Sequence, residues 1–380
     1  MTTTFNHSVA EITRQIAGEV VAPLAFEIDR EKRFPHEAFK AFGKSGLLGL
    51  LVPKDLGGMG GSLFDLVTAT EIIAEKCGST AMCFLMHSCA TMVIASKASP
   101  NQKERYLRPI AQGDKIGTLA FSETGTGAHF YSPEIRAHFA DQFFTLNGRK
   151  SFVTNGDQTD FLVVVTNAST EGNGLDMLIV ETDTSGVRFE GTWEGIGLRG
   201  NNSISVTMEN VKVPVSNLIG DEGDGLDIIF QVVAPTFILG VSGVNVGLAR
   251  GAYLAALNHA KSRKYPDGRS LAEIQAIQFY LSDMYGSVES AAAFVHKAAR
   301  SADQGEAAAV LNVMESKIIA SEHAVRVTNL AMQVCGGQGY TPSLPVERYL
   351  RDARAGAVMA PTTEVLKEWV GKSVAGIPLM

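Results

Sequence analysis

Cys335–Thr363, CGGQGYTPSLPVERYLRDARAGAVMAPTT, is the stretch from which the rest of the chain can be read. Glycines crowd its start, so the backbone can turn sharply and approach another group closely. An irregular connection, Tyr340-Thr-Pro-Ser-Leu-Pro345, follows. Glu347, Arg348, Arg351, Asp352 and Arg354 then place opposite charges at helical spacing, the pattern of a helix face stitched by ion pairs. Charge pattern alone implies nothing more than a solvated helix.

Composition sets the bounds. At 380 residues the chain exceeds the size at which one core keeps growing, so two or three packed domains are expected. Its 45% hydrophobic and 19% charged content is that of an ordinary globular protein. A formal charge of −7 without Lys/Arg runs gives no footprint for nucleic acid. Cys77, Cys83, Cys89 and Cys335 have neither metal-ligand nor disulfide spacing, which predicts reduced thiols in a cytoplasmic protein. No signal peptide is read in the first residues. Ile228–Ala249 runs 22 residues without a charge, long enough to span a bilayer. Its Gln, Pro, Ser, Asn and Gly residues fit a helix buried within a bundle better.

Periodicity divides the chain in three. Residues 1–116 read as helices: Phe5–Phe26, stopping near Pro23; Pro35–Leu51; Ser62–Lys76, opened by a capping serine; Gly78–Lys97; and one starting at Pro100. Residues 117–222 read as short strands. Leu146-Asn-Gly-Arg149 between Gln142–Leu146 and Lys150–Thr154 predicts a hairpin. Phe161–Thr166, Asp176–Glu181, Ser203–Glu209 and Val211–Val213 complete a small antiparallel β domain, a barrel or sandwich. Residues 223–380 return to the helical period. The fold class is α+β, with a helical N-terminal domain, a central β domain and a C-terminal helical bundle.

The combination Cys335–Arg354, a glycine turn, a loop, then P-V-E-R and R-D-A-R, resembles the signature of the acyl-CoA dehydrogenase flavoprotein family. The resemblance covers nearly the whole chain and implies FAD as cofactor. Leu119–Ala128 is similar to the family's flavin loop, with Phe121 and Ser122 at the isoalloxazine edge. In that loop Thr124, Ala128 and His129 replace a proline, a substrate-contacting serine and an aspartate. Gly148–Gly156 resembles G-x-K-x-W-I-T-N-G, which implies that Phe152, Val153 and Thr154 lie along the ring. Gly195–Asn202 looks like the family's arginine turn. Arg263, Tyr265 and Gln275, with Gln333, Gly336 and Gly337, stand where the family holds a neighbouring subunit's adenine dinucleotide. Thr362 and Glu364 would meet the flavin's other side. A cofactor shared in this way implies a homo-oligomer, in this family a homotetramer.

The family's chemistry does not carry over whole. Its base takes the acidic α-proton while hydride leaves the β-carbon. One family position for that glutamate is Ala360 here, and the other is Phe237. Pro235 and Ile238 occupy the positions of an acid and an arginine on the thioester arm. His87 is the candidate replacement base, because histidine titrates near neutrality; a core histidine bonded to backbone is the plainer reading. His87, Ala128, His129 and Ala360 are the candidate substrate contacts. Three readings follow: a divergent FAD-dependent oxidoreductase acting on an acyl-CoA thioester or related small molecule, a flavin-dependent monooxygenase of the same fold, or a non-catalytic flavin scaffold.

Overall fold

The computed structural model describes residues 8–127, 129–170, 172 and 174–378. Ser8 caps α1 (Val9–Ile16) through a reciprocal bond pair with Glu11. The stop expected near Pro23 does not occur. A π-turn at Ala17–Val21 carries the helix on into α2 (Ala22–Glu31), and Pro23, which has no N–H to donate, falls just after that irregular turn. α3 (His36–Ser45) is shorter than expected, because Gly46 turns left-handed (φ 78°) and a 3-10 turn, Leu47–Gly49, follows. Ser62 and Asp65 form the capping box of α4 (Leu63–Ala74). α5 (Gly78–Lys97) and α6 (Pro100–Gln112) complete the first helical layer.

Seven strands follow: β1 (Gly117–Ala120), β2 (His138–Ala140), β3 (Phe143–Val153), β4 (Phe161–Asn167), β5 (Leu175–Glu181), β6 (Val187–Glu190) and β7 (Ile204–Pro214). They make two open sheets, β1-β4-β5 and β2-β3-β7-β6. Buried residues such as Phe144, Leu146, Val164, Leu178, Val206 and Val213 fill the space between them. Two expectations need correction. The sheets are not purely antiparallel, since β1 pairs with β4 in parallel; β2 and β3 of the second sheet lie in the connection between them, and β6 and β7 follow β5. Of the barrel or sandwich expected, the described residues show two packed sheets with no closed barrel. Asn147-Gly148 is not a hairpin turn either: β3 runs straight through it beside β7, with a register shift between Leu146 and Gly148. Asn210, opposite, takes φ 51° and its N–H donates to Asn147 Oδ1 at 2.8 Å. A bulge therefore absorbs the turn-like dipeptide, and the two short strands read at 203–213 merge into β7.

The C-terminal bundle comprises α7 (Gly225–Ile228), α8 (Ala234–Ser262), α9 (Gln275–Asp303), α10 (Ala309–Gly339), α11 (Val346–Val358) and α12 (Thr363–Ala375). A π-turn, Ile229–Val233, joins α7 to α8. α5 and the Gly225–Ser262 run are long and apolar enough to cross a membrane, but most of each is buried within this chain.

The charged helix of the opening stretch, α11, ties all three layers together. Arg351 clasps Asp29 of α2 with two bonds of 2.9 and 2.6 Å and also donates to the Ile196 carbonyl. The buried Asp352 accepts the Leu198 N–H at 2.6 Å. Gly197 is needed here, because a Cβ would lie 2.3 Å from the Arg351 carbonyl oxygen. This seam holds the 195–202 turn, which forms one wall of the cavity described next.

Candidate active site

The three layers enclose a cavity of about 480 Å³, within the range of small-molecule sites. Its polar side is built by Ser122, Thr124, Thr154, Asn201, Ser203 and Thr362, and its apolar side by Met82, Met86, Phe130, Val233, Phe237 and Ala360, among others. Distant segments thus converge: the loop after β1, the end of β3, the 195–202 turn, the start of α8 and the α11–α12 connection.

The loop after β1 is held by a buried ion pair. Lys150 Nζ donates to Glu123 Oε1 at 2.6 Å, to the Val165 carbonyl at 2.6 Å and to the Phe121 carbonyl at 3.2 Å. Glu123 also accepts the Glu134 N–H at 2.6 Å. Burial lowers the Lys150 pKa to about 8 against the opposing pull of Glu123. Glu123 is the only ionisable residue on the cavity wall among the described residues, and its carboxylate is committed to these structural bonds. Ser151 N–H donates to the Ser122 carbonyl at 2.7 Å, fastening loop to strand.

β3 ends in a second bulge. Lys150 faces Val206 but Val153 faces Ile204, so Ser151 and Phe152 oppose one residue. Phe152 takes φ 54° and its ring swings out 67% exposed, edge-on to Trp193 at 6.2 Å. Val153 is buried between the sheets. Thr154 pairs its hydroxyl with that of Ser203 at 2.7 Å, while its carbonyl accepts from Thr118. An exposed aromatic face beside hydroxyls fits a flat, polar-edged ring.

The opposite wall is fixed from beneath. Lys317, on α10 and fully buried, donates to the Met359 carbonyl at 2.7 Å and the Pro361 carbonyl at 2.5 Å, bracketing Ala360. Burial lowers the Lys317 pKa to about 7, opposed by Glu364. Thr362 caps α12 by accepting the Val365 N–H, and Glu364 sits exposed in the first turn with the Thr363 hydroxyl.

Not every expected residue joins the cavity. His87 does not. Its Nε2–H donates to the Leu48 carbonyl at 3.0 Å and its Nδ1 accepts the Gly117 N–H at 3.2 Å. Burial lowers its pKa to about 4, and it is absent from the wall. The candidate base is therefore a core histidine joining α5 to β1. His129 is exposed and bonded to Tyr131 Oη at 2.9 Å, between the wall residues Gly127 and Phe130. Ala128 lies outside the described residues. Ala360 and Phe237 both line the cavity, while Ile238 is buried in the helical core. Arg263, Tyr265, Gln275, Gln333, Gly336 and Gly337 are all exposed and away from the cavity wall. Arg263 lies over the Tyr265 ring at 5.9 Å, and Gly336 breaks α10 with φ 53°, ψ −140°. A Cβ at Gly336 or Gly337 would meet nothing within 4 Å.

The sequence does carry a signal for Lys317. Val313, Lys317, Ala320 and Ala324 share a buried helical face, and a lysine on such a face needs partners. The Lys150–Glu123 pair offered no local signal, its partners being 27 residues apart.

The acyl-CoA dehydrogenase N-terminal, middle and C-terminal domain models match residues 5–114, 118–211 and 238–375. The short-chain specific acyl-CoA dehydrogenase of Clostridium acetobutylicum is 33% identical over 363 residues, covering 94% of this chain and 95% of that protein. This chain belongs to the acyl-CoA dehydrogenase family. The cyclohex-1-ene-1-carbonyl-CoA dehydrogenase of Geobacter metallireducens is 32% identical, covering 96% of each chain. The solved structure of butyryl-CoA dehydrogenase from Megasphaera elsdenii superposes with a TM-score of 0.92 at 28% identity, over 98% of this chain and all of that one. As a member of the acyl-CoA dehydrogenase family the protein is an FAD-dependent oxidoreductase.

Proposed function

We propose that this acyl-CoA dehydrogenase family member oxidises a short acyl-CoA thioester, with FAD held by Phe121, Ser122, Phe152, Val153 and Thr154 on one side of the cavity and by Thr362 and Glu364 on the other. The observation that carries this reading is the convergence of Phe121, Ser122, Phe152, Thr154 and Thr362 on one cavity whose other side is apolar; Val153 and Glu364 lie off the wall itself. The bound flavin supplies a two-electron acceptor. The chain's own residues orient the acyl group: Met82, Met86, Phe130 and Phe237 exclude water from it. The exposed set Arg263, Tyr265, Gln275, Gln333, Gly336 and Gly337 is assigned to a cofactor shared between copies of the chain, in a homotetramer. Within one chain these groups have no covering element, which supports the assignment. Four free, buried thiols support a reducing, cytoplasmic setting.

A second reading rests on one feature. Both positions at which the family resemblance expects a base, Phe237 and Ala360, face the cavity as apolar groups. A monooxygenase needs no acceptor for an α-proton, and an apolar site protects oxygen chemistry from water. Anaerobic titration with butyryl-CoA separates the readings. Bleaching of the flavin absorption supports the dehydrogenase. A flavin that stays oxidised across a panel of acyl chain lengths, with oxygen-dependent product formation after chemical reduction, overturns it in favour of the monooxygenase.

A further inference from the structure

The loop after β1 hangs on one amine. Phe121, Ser122 and Glu123 line the cavity, and β3 holds all three. Ser151 N–H donates to the Ser122 carbonyl, while Lys150 Nζ reaches the Phe121 carbonyl at 3.2 Å and Glu123 Oε1 at 2.6 Å. The third acceptor of that amine is the Val165 carbonyl of β4, at 2.6 Å. Three oxygens thus surround a nitrogen on a fully buried side chain. An ammonium has three N–H groups, one for each. A neutral amine has two and a lone pair, so one oxygen would face the lone pair with no water to replace the lost donor. The longest of the three bonds is the one to Phe121, and it belongs to the loop. Burial lowers the pKa of this amine to about 8 against the pull of Glu123, which brings the exchange of the two forms close to neutral pH. The other charged groups on the surrounding elements are engaged elsewhere or exposed. Arg136 donates to the Ala168 carbonyl, Asp176 of β5 accepts the Gly223 N–H, Arg149 lies toward Glu190, and Glu134, Glu209 and Lys212 are exposed.

We propose that FAD binding is proton-linked through Lys150, a positioning residue whose ammonium form holds the loop in the shape that fits the flavin and whose neutral form lets it go. The inference rests on the placing of FAD against this loop in the function proposed above, and it stands whether the substrate is a thioester or not. A flavin that selects the held loop also selects the proton. Binding therefore takes up a proton wherever the free chain has lost it, and affinity falls as pH rises through that range. A lysine that only fills space between the sheets makes no such link.

The test titrates the apoprotein with FAD from pH 6.5 to 9.5 and follows proton uptake in parallel with an indicator dye. The expected result is an affinity that falls roughly tenfold as pH rises from 7.5 to 9.5, the weight of one released hydrogen bond, with proton uptake on binding at pH 8.5. Lys150→Met should bind FAD weakly at every pH, without the step and without the uptake. That variant leaves the Glu123 carboxylate buried and alone, so Lys150→Met combined with Glu123→Gln, which removes both charges, is read in the same way. The melting temperature of the double variant should return toward the parent's while its FAD affinity stays low. A parent affinity that is flat over this range, a step that survives in the methionine variants, or parental affinity in the double variant overturns the inference. Phe152→Ala, a change at an exposed ring, tells this failure from that of the site. Unchanged FAD affinity and visible absorption in Phe152→Ala would put the flavin elsewhere and remove the site and the inference together. Weakened binding there beside unaffected Lys150 variants removes the inference alone.

Discussion

His87 and Ala360 show how a residue's chemistry is decided by what stands around it. Free histidine titrates near 6.5, but the buried His87 stays neutral down to about 4. Between those values the unfolded chain binds a proton that the folded chain refuses. The contribution of His87 to stability is thus complete above pH 6.5 and is lost as pH falls toward 4, on the order of 3 kcal/mol across the window. Asp352 works oppositely: burial pushes its pKa up to about 6, so its contribution grows as pH falls from 6 toward 3.8. Denaturant titrations of the parent and His87→Gln at pH 7, 5.5 and 4.5 should show the variant losing the His87 slope and keeping that of Asp352. Turnover should fall less than about tenfold, against the 10²–10⁴-fold expected of a lost general base. Ala360→Glu is the converse case. It puts a carboxylate on the cavity wall, and anaerobic flavin reduction by butyryl-CoA should accelerate by about 10² or more. An unchanged rate would mean that proton removal does not limit the natural protein.

At the scale of elements, the α11–α12 connection depends on α10. Lys317 donates to the carbonyls on either side of Ala360. Lys317→Met keeps the volume but leaves two carbonyls unpaired, at about 1–3 kcal/mol each; part of this is offset because a buried charge is also removed. The expected outcome is a melting temperature lower by several degrees and a KM for butyryl-CoA raised more than kcat is lowered, since the wall and not the chemistry is loosened. A variant with parental KM would show that the connection holds itself. The bulge at Ser151–Phe152 is a comparable device, because it alone turns the aromatic ring out of β3 into the cavity.

For the whole molecule, the exposed residues of the α8–α9 loop and of the end of α10 belong to an assembly larger than one chain in the function proposed above. Gly336 sits at φ 53°, ψ −140°, a conformation that side chains other than glycine's enter only with strain. Gly336→Val should therefore lose bound FAD and the tetramer together, seen as a falling ratio of flavin to protein absorbance and a smaller mass by light scattering. Full FAD occupancy in a dissociated chain would show that one copy suffices for the cofactor. What could be read beforehand follows the range of the forces involved. Several helix starts and the three-part order were legible, because capping and periodicity act between near neighbours in sequence. Asn147-Gly148 misled, since a favourable local turn yielded to a ladder of bonds along β7. His87 was identified as a residue of interest but not placed, because the groups that answer its two nitrogens, Leu48 and Gly117, come from elsewhere in the chain. The sequence by itself therefore determined the family and the cofactor. Only the tertiary structure decided which polar groups are already satisfied, as His87 is by Leu48 and Gly117, because satisfaction of a buried group is a property of its neighbours in space.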